Sequence, residues 1–226
     1  QFQAGKRATI LFDGAMSHAN VYINGQKVGY WPYGYNSFHF DITKYLKPGE
    51  KNTLAVRLEN LPESSRWYPG AGLYRNVHLI ITEDAYIPVW GTYITTPSVN
   101  EKFAKVNVRT KVVLPEGADP AKYSVETSVW NPNKQKLTAV RTSLAQMKYN
   151  NNQAEQEFVI QAPSLWSPEM PALYSAETRL YEGDKLKDIY TTPFGIRSIE
   201  IIPDKGFFLN GKRTVFKGVC NHHDLG

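Results

Sequence analysis

The chain has 226 residues, 42% of them hydrophobic and 21% charged, with a formal net charge of +5. This composition excludes a disordered chain and leaves room for one large or two ordinary domains. The basic residues are dispersed, with only pairs such as Lys6-Arg7 and Lys212-Arg213 adjacent, which excludes a phosphate-tracking stripe and with it a nucleic-acid partner. No apolar run is long enough to cross a bilayer, and the N-terminal stretch "QFQAGKRATILFDG" lacks the basic and long apolar regions of a signal peptide, so no membrane partner is expected. Cys220, the single cysteine, cannot form an intramolecular disulfide, so stability has to come from packing. A chain starting at Gln1 rather than Met fits a processed or trimmed product, so the missing signal says little about the parent; a periplasmic or secreted location is slightly favoured over a cytoplasmic one.

Aromatic residues make up 13% of the chain, and frequent Gly, Pro and Asn punctuate it, so an all-β fold is expected. "ANVYINGQKVGY" reads as a hairpin: Val21 and Ile23 alternate with Tyr22, and Asn24-Gly25 supplies the positive-φ pair of a tight turn. "FHFDITKYLKPGEKNTLAVRLEN" predicts a short strand, a Pro-Gly turn, and a strand with Leu54, Val56 and Leu58 on one face. In "RNVHLIITE", Val77, Leu79 and Ile81 alternate as in a further strand. About five strands precede residue 87, fewer than the roughly eight of a jelly roll.

After a "YIPVWG" connector, Val106, Val108, Thr110 and Val112 alternate, as do Tyr123, Val125, Thr127 and Val129. "AEQEFVIQ" and "LYSAETRLYEG" continue the pattern after the polar turns "NPNKQK" and "KYNNNQ". Roughly seven short strands separated by turns predict an immunoglobulin-like sandwich without the antibody disulfide. Trp130 and Trp166 are expected to pack in the core or between domains. Beyond it, a strand-turn-strand around Asn210-Gly211 leads to an apolar run (Thr214, Val215, Phe216, Gly218, Val219), expected as a strand, and then to "CNHHDLG".

In linear order, several stretches resemble glycoside hydrolase family 2, the family of β-galactosidases, β-glucuronidases and β-mannosidases. "LFDGAMSHANVYINGQKVGYWPYGYNSFHFDITKYLKPGEKNTLAVRLEN" is similar to the core of its jelly-roll sugar-binding domain, and "SRWYPGAGLYRNVHL" to the strand and loop closing it. "LWSPEMPALY" with "FGIRSIE" resembles the end of its immunoglobulin-like domain, and "FFLNGKRTVFKGVCNHHDLG" the start of its (β/α)8 barrel. The implied organisation is a partial jelly roll over 1–86, an immunoglobulin-like sandwich over 87–198, and the first strand or strands of a truncated catalytic barrel over 199–226. The implied parent is a retaining β-glycosidase, most nearly β-galactosidase-like. Its two carboxylates, about 5–5.5 Å apart in such enzymes, would lie in the barrel, which the resemblance places beyond Gly226, so this chain alone is expected to be inactive. The implied partners are a β-linked oligosaccharide and the catalytic barrel of the same parent chain, with no cofactor.

For His222, His223 and Asp224 the resemblance implies sugar-pocket contacts at a barrel strand's C-terminal end, with His222 and Asp224 matching polar residues that line that pocket; a frayed polar terminus is the alternative. Where the family more often has Asn, this chain has Cys220, and His223 stands where an acid is usual. In "RWYPGAGLYR", Arg66 could grip hydroxyls and Trp67 could stack on a pyranose, or Trp67 and Tyr68 could cap the sandwich. Arg66 and Trp67 are taken as auxiliary sugar contacts. The tyrosines of "YWPYGYNSF" are assigned to packing against the hairpin rather than to sugar. Zinc is not expected, because adjacent histidines point to opposite sides of a strand and no second spaced ligand cluster exists; His18, His39 and His78 could meet a metal only if the fold brought them together. The rival reading is a complete carbohydrate-binding or adhesin-like sandwich, which would have no need of an unpaired apolar strand at its end.

Overall fold

The computed structural model describes residues 2–63, 70–146 and 153–220. Among them every regular element is a β-strand or a three-residue 3-10 turn, and the chain divides into compact units at Asp84 and Ala85.

The first unit has six strands: β1 (Arg7–Phe12), β2 (Ala19–Ile23), β3 (Gln26–Trp31), β4 (Phe38–Asp41), β5 (Leu54–Arg57) and β6 (Val77–Thr82). They form two three-stranded antiparallel sheets, β4-β1-β6 and β3-β2-β5. Period-two alternation aims Ala8, Ile10 and Phe12 of β1 and Ala19, Val21 and Ile23 of β2 into one core, joined by Phe38 and Ile42. Each large side chain fully buried there contributes about 1.5–3 kcal/mol relative to exposure. Phe38 stacks on Phe12 at 4.8 Å and on Trp31 at 5.6 Å, so Trp31 is a packing residue. The predicted hairpin forms: Asn24 and Gly25 have φ of 51° and 80°, the two positive values of a type I′ turn. The Asn24 amide also donates to the Tyr45 carbonyl (2.9 Å) and the Asn52 side chain (2.8 Å), fastening the turn to the loop before β5.

Strand β6 forms as predicted, but its apolar face is uncovered. Val77, Leu79 and Ile81 stand opposite Phe12, Ile10 and Ala8 and therefore share the core-facing side of the sheet. Their exposures are nonetheless 38%, 60% and 43%, and Leu54 of β5 is 39% exposed. The cause is position: β6 and β5 are edge strands, and the facing sheet supplies nothing to cover this row.

In the second unit, β7 (Thr92–Val99), β8 (Phe103–Lys111), β9 (Tyr123–Trp130), β10 (Lys136–Ser143), β11 (Gln153–Gln161), β12 (Tyr174–Glu182) and β13 (Lys185–Phe194) make the expected seven-stranded sandwich. The sheets are β11-β8-β7 and β10-β9-β12-β13. This is the immunoglobulin-like pairing, with its fourth strand moved to the sheet holding the third, sixth and seventh. Two apolar clusters fill the sandwich, one around Val106, Val129 and Phe158 and one around Val125, Ala154 and Leu180. Between them in sequence register lies a buried polar layer of Thr110, Thr127, Gln156 and Thr178. Gln156 Nε2 lies within hydrogen-bonding distance of the carbonyls of Val125 (3.1 Å) and Val140 (2.9 Å) and of Thr142 Oγ1 (3.1 Å), joining one sheet to the other.

Three short strands follow: β14 (Ile199–Ile202), β15 (Gly206–Leu209) and β16 (Lys212–Arg213), all antiparallel, turning at Asn210-Gly211 as expected. Asn210 accepts from Ser198 N (3.0 Å) and donates to the Trp166 carbonyl (3.0 Å), while the Arg197 guanidinium lies over the Trp166 ring at 5.2 Å. The strand expected over Thr214–Val219 is not formed. Residues 214–220 have no ladder partner, and Val215, Phe216 and Val219 are 66%, 74% and 86% exposed. An extended apolar run becomes a strand only where another strand can satisfy its backbone.

Candidate functional site

The register of β4-β1-β6 gathers three loops at one end of the first unit. Phe12, at the C-terminal end of β1, pairs with Phe38 at the start of β4 and with Val77 at the start of β6. Residues 13–18, 32–37 and 70–76 therefore emerge side by side.

Hydrogen bonds knit these loops together. Asp13 N donates to the Asn76 carbonyl (3.0 Å), and the Asp13 carbonyl accepts from Ser37 Oγ (3.2 Å) and Arg75 Nη1 (3.3 Å). Met16 and Gly72 exchange backbone hydrogen bonds of 3.0 and 3.1 Å. Tyr74 Oη donates to the Gly34 carbonyl (2.9 Å), Arg75 Nη1 reaches the Tyr35 carbonyl (3.5 Å), and the Arg75 guanidinium lies 5.1 Å from the Tyr74 ring centre. Gly34 is buried against Met16, and a Cβ there would meet the Met16 sulfur and methyl group, which would have to swing aside.

Three kinds of side chain are presented by this framework. Tyr33 is 54% exposed, with the Tyr35 ring edge-on to it at 5.6 Å and 65°. His18 Nδ1 and Tyr30 Oη are 2.6 Å apart on one flank, and His78 Nε2 lies 3.1 Å from Asp13 Oδ2 on the other. Such a surface offers an aromatic face, a guanidinium, imidazoles and a carboxylate, a set suited to a polyhydroxylated ring. No three His, Cys, Asp or Glu side chains converge on a metal site among the described residues. His39 and His78 stand on the strands flanking β1, both level with Leu11, which separates them by about 10 Å at ordinary strand spacing. Burial pushes the His39 pKa down, favouring its neutral form.

Arg66 and Trp67, and likewise His222, His223 and Asp224, lie outside the described residues. The part of "RWYPGAGLYR" that is described, from Gly70 to Arg75, fastens that loop to residues 13–18 and 32–37. The "YWPYGYNSF" cluster divides in two: Trp31 packs inward, whereas Tyr33, expected to pack against the hairpin, faces solvent. Alternation could not reveal this division, because Pro32 and Gly34 interrupt the strand period. Of the two tryptophans, Trp166 braces the C-terminal turn and Trp130 is partly buried at the end of β9.

Comparison with known proteins agrees with this architecture. Residues 2–83 match the family model described as glycosyl hydrolases family 2, sugar binding domain, and residues 86–197 the model described as glycosyl hydrolases family 2. A β-galactosidase of Bacteroides ovatus is 41% identical over 224 residues, which is 99% of this chain and 26% of the relative. A β-glucuronidase of Bacteroides fragilis is 36% identical over 97% of this chain and 33% of its own length. Among solved structures, a glycosyl hydrolase family 2 member from Bacteroides cellulosilyticus superposes with a TM-score of 0.90 at 33% identity, covering 99% of this chain and 31% of that one. A β-glycosidase from Bacteroides vulgatus gives 0.85 at 32% identity, covering 97% of this chain and 27% of that one. The chain thus spans about a quarter to a third of the length of these proteins. With the two family models matched in sequence order and the same two β-units present in the fold, the chain belongs to glycosyl hydrolase family 2.

Proposed function

We propose that this chain is the accessory N-terminal portion of a retaining β-glycosidase, β-galactosidase-like, that hydrolyses terminal β-glycosidic bonds. The observation that carries the reading is the consecutive match to the sugar-binding and immunoglobulin-like models in a chain covering only 26% of the Bacteroides ovatus β-galactosidase. In this proposal, residues 1–86 are a partial jelly roll that contacts sugar, 87–198 a sandwich that braces the catalytic barrel, and 199–226 the barrel's opening segment. The nucleophile and acid/base carboxylates belong to the barrel, where retention of configuration requires them about 5–5.5 Å apart. Arg66 and Trp67 add accessory sugar contacts through hydrogen bonds and ring stacking, and His222, His223 and Asp224 hydrogen-bond sugar hydroxyls. The knitting of residues 70–76 to their neighbours supports such a role, since a contact loop on a fixed base loses little entropy when it binds.

The test is a paired assay with p-nitrophenyl β-D-galactoside. The 226-residue chain should release no p-nitrophenol above buffer, and the product of a reading frame continued for several hundred residues past Gly226 should release it with retained anomeric configuration. A stop codon directly after Gly226, with sugar binding intact, would replace this reading with the carbohydrate-binding or adhesin-like module.

A further inference from the structure

We propose that Tyr33, held edge-on by Tyr35, is a pyranose-stacking subsite; the proposal rests on the sugar-binding reading of the first unit. Three observations carry it. Among the aromatic residues that follow β2, Trp31 stacks on the buried Phe38, while Tyr33, only two residues from Trp31, is 54% exposed. An aromatic ring left on a loop tip would ordinarily move freely, yet the backbone that follows Tyr33 is tied to the neighbouring loops. Gly34 is wedged against Met16 with its carbonyl bonded by Tyr74 Oη at 2.9 Å, and the Tyr35 carbonyl is reached by Arg75 Nη1 at 3.5 Å. The Tyr35 ring meets Tyr33 at 5.6 Å and 65°, an edge-to-face contact that leaves the other face of Tyr33 unblocked by that partner.

The ligand chemistry follows from the surface. A pyranose of a β-galactoside or β-glucuronide presents a patch of axial C–H bonds on one face and hydroxyls at its rim. The C–H patch packs on the electron-rich ring, and the hydroxyls remain free to bond to Tyr33 Oη and to water. Because the loop backbone is already tied down and Tyr35 supports the ring, less of the contact energy is lost to immobilising it. A flat, half-exposed tyrosine without deep walls should discriminate weakly between sugars. Such a subsite suits a neighbouring unit of an oligosaccharide more than the sugar whose bond is cleaved.

Saturation-transfer NMR and calorimetric titration of the 226-residue chain with methyl β-D-galactopyranoside and with a β-linked galacto-oligosaccharide test the proposal. Tyr33→Ala should weaken oligosaccharide binding roughly five- to tenfold, as expected for losing one aromatic contact. Tyr33→Phe should stay within about twofold, because the ring and not the hydroxyl carries the contact. Tyr93→Ala, which removes a 63% exposed tyrosine from the other unit, should change nothing. Thermal melts of all three variants should match the unsubstituted chain, which excludes misfolding as the cause. If the unsubstituted chain binds and Tyr33→Ala binds equally well, the subsite is refuted while the sugar-binding reading stands. If the unsubstituted chain binds neither probe, both are refuted together.

Discussion

Two carboxylates give this chain opposing responses to acid. Burial pushes Asp188 above the ordinary carboxylate range, only partly offset by hydrogen bonds from the backbone N–H groups of Ile87 and Ile189, each at 2.9 Å. Its folded-state pKa is raised, so its contribution to stability is fullest below the unfolded value and is lost as pH rises through the folded one. Asp41 behaves in the reverse sense. Burial pushes it up, but hydrogen bonds from the Thr43 side chain and backbone and the charge of Arg7 outweigh that and hold it low. Its contribution is present above the unfolded value and lost as pH falls through the folded one. Accordingly, Asp188→Asn should flatten the fall in stability between acid and neutral pH, and Asp41→Asn should destabilise at pH 7 but not in strong acid. Urea titrations at several pH values read both slopes. At Gln156, buried with its amide bridging the two sheets, substitution by alanine should cost about 2–3 kcal/mol, because a cavity opens and carbonyls lose their donor. Calorimetry would show this as a lowered midpoint for the second unit.

At the level of strands and turns, the Asn24-Gly25 hairpin is the most exacting local feature of the first unit. Gly25→Val places a β-branched residue at a φ of 80° and should destabilise by about 1–2 kcal/mol. Asn24→Ala should cost at least as much, since it also releases Tyr45 and Asn52; chemical denaturation of the two variants compares them directly. This hairpin was readable in the sequence because its turn chemistry is local. So were β8, β9, β11 and β12, whose inward residues are pressed between two sheets and are apolar, hydroxyl-bearing or, at Gln156, held by hydrogen bonds. Strand β1 has no alternation to reveal it, since Ile10-Leu11-Phe12 reads as one continuous apolar run, and β10 and β13 are hidden because edge strands mix Lys, Thr and Leu without a clean period. The terminal run 214–219 has strand-like composition but no partner, and composition alone cannot supply one. The candidate site was legible only as a loop rich in aromatics. That Tyr33 faces outward is not encoded by any sequence period, because Pro32 and Gly34 interrupt the alternation around it.

For the molecule as a whole, the two units should differ in self-sufficiency. Residues 85–217 contain seven paired sandwich strands and two apolar clusters of their own, so this segment expressed separately should fold with a single cooperative transition in denaturant. Residues 1–84 hold six strands with one flank of the sandwich uncovered and should unfold at lower denaturant. Far-UV circular dichroism of the separated segments measures the difference directly.

The uncovered row on β6 also makes positions 77, 79 and 81 a gauge of context. In the 226-residue chain, serine or threonine at Leu79 should be nearly neutral for stability and should reduce clumping, since the side chain already meets water. In any longer polypeptide that shelters this row, the same exchange would remove about 2 kcal/mol. A mutational scan of these three codons, run in polypeptides of different lengths, would therefore turn tolerance at one strand into a molecular ruler.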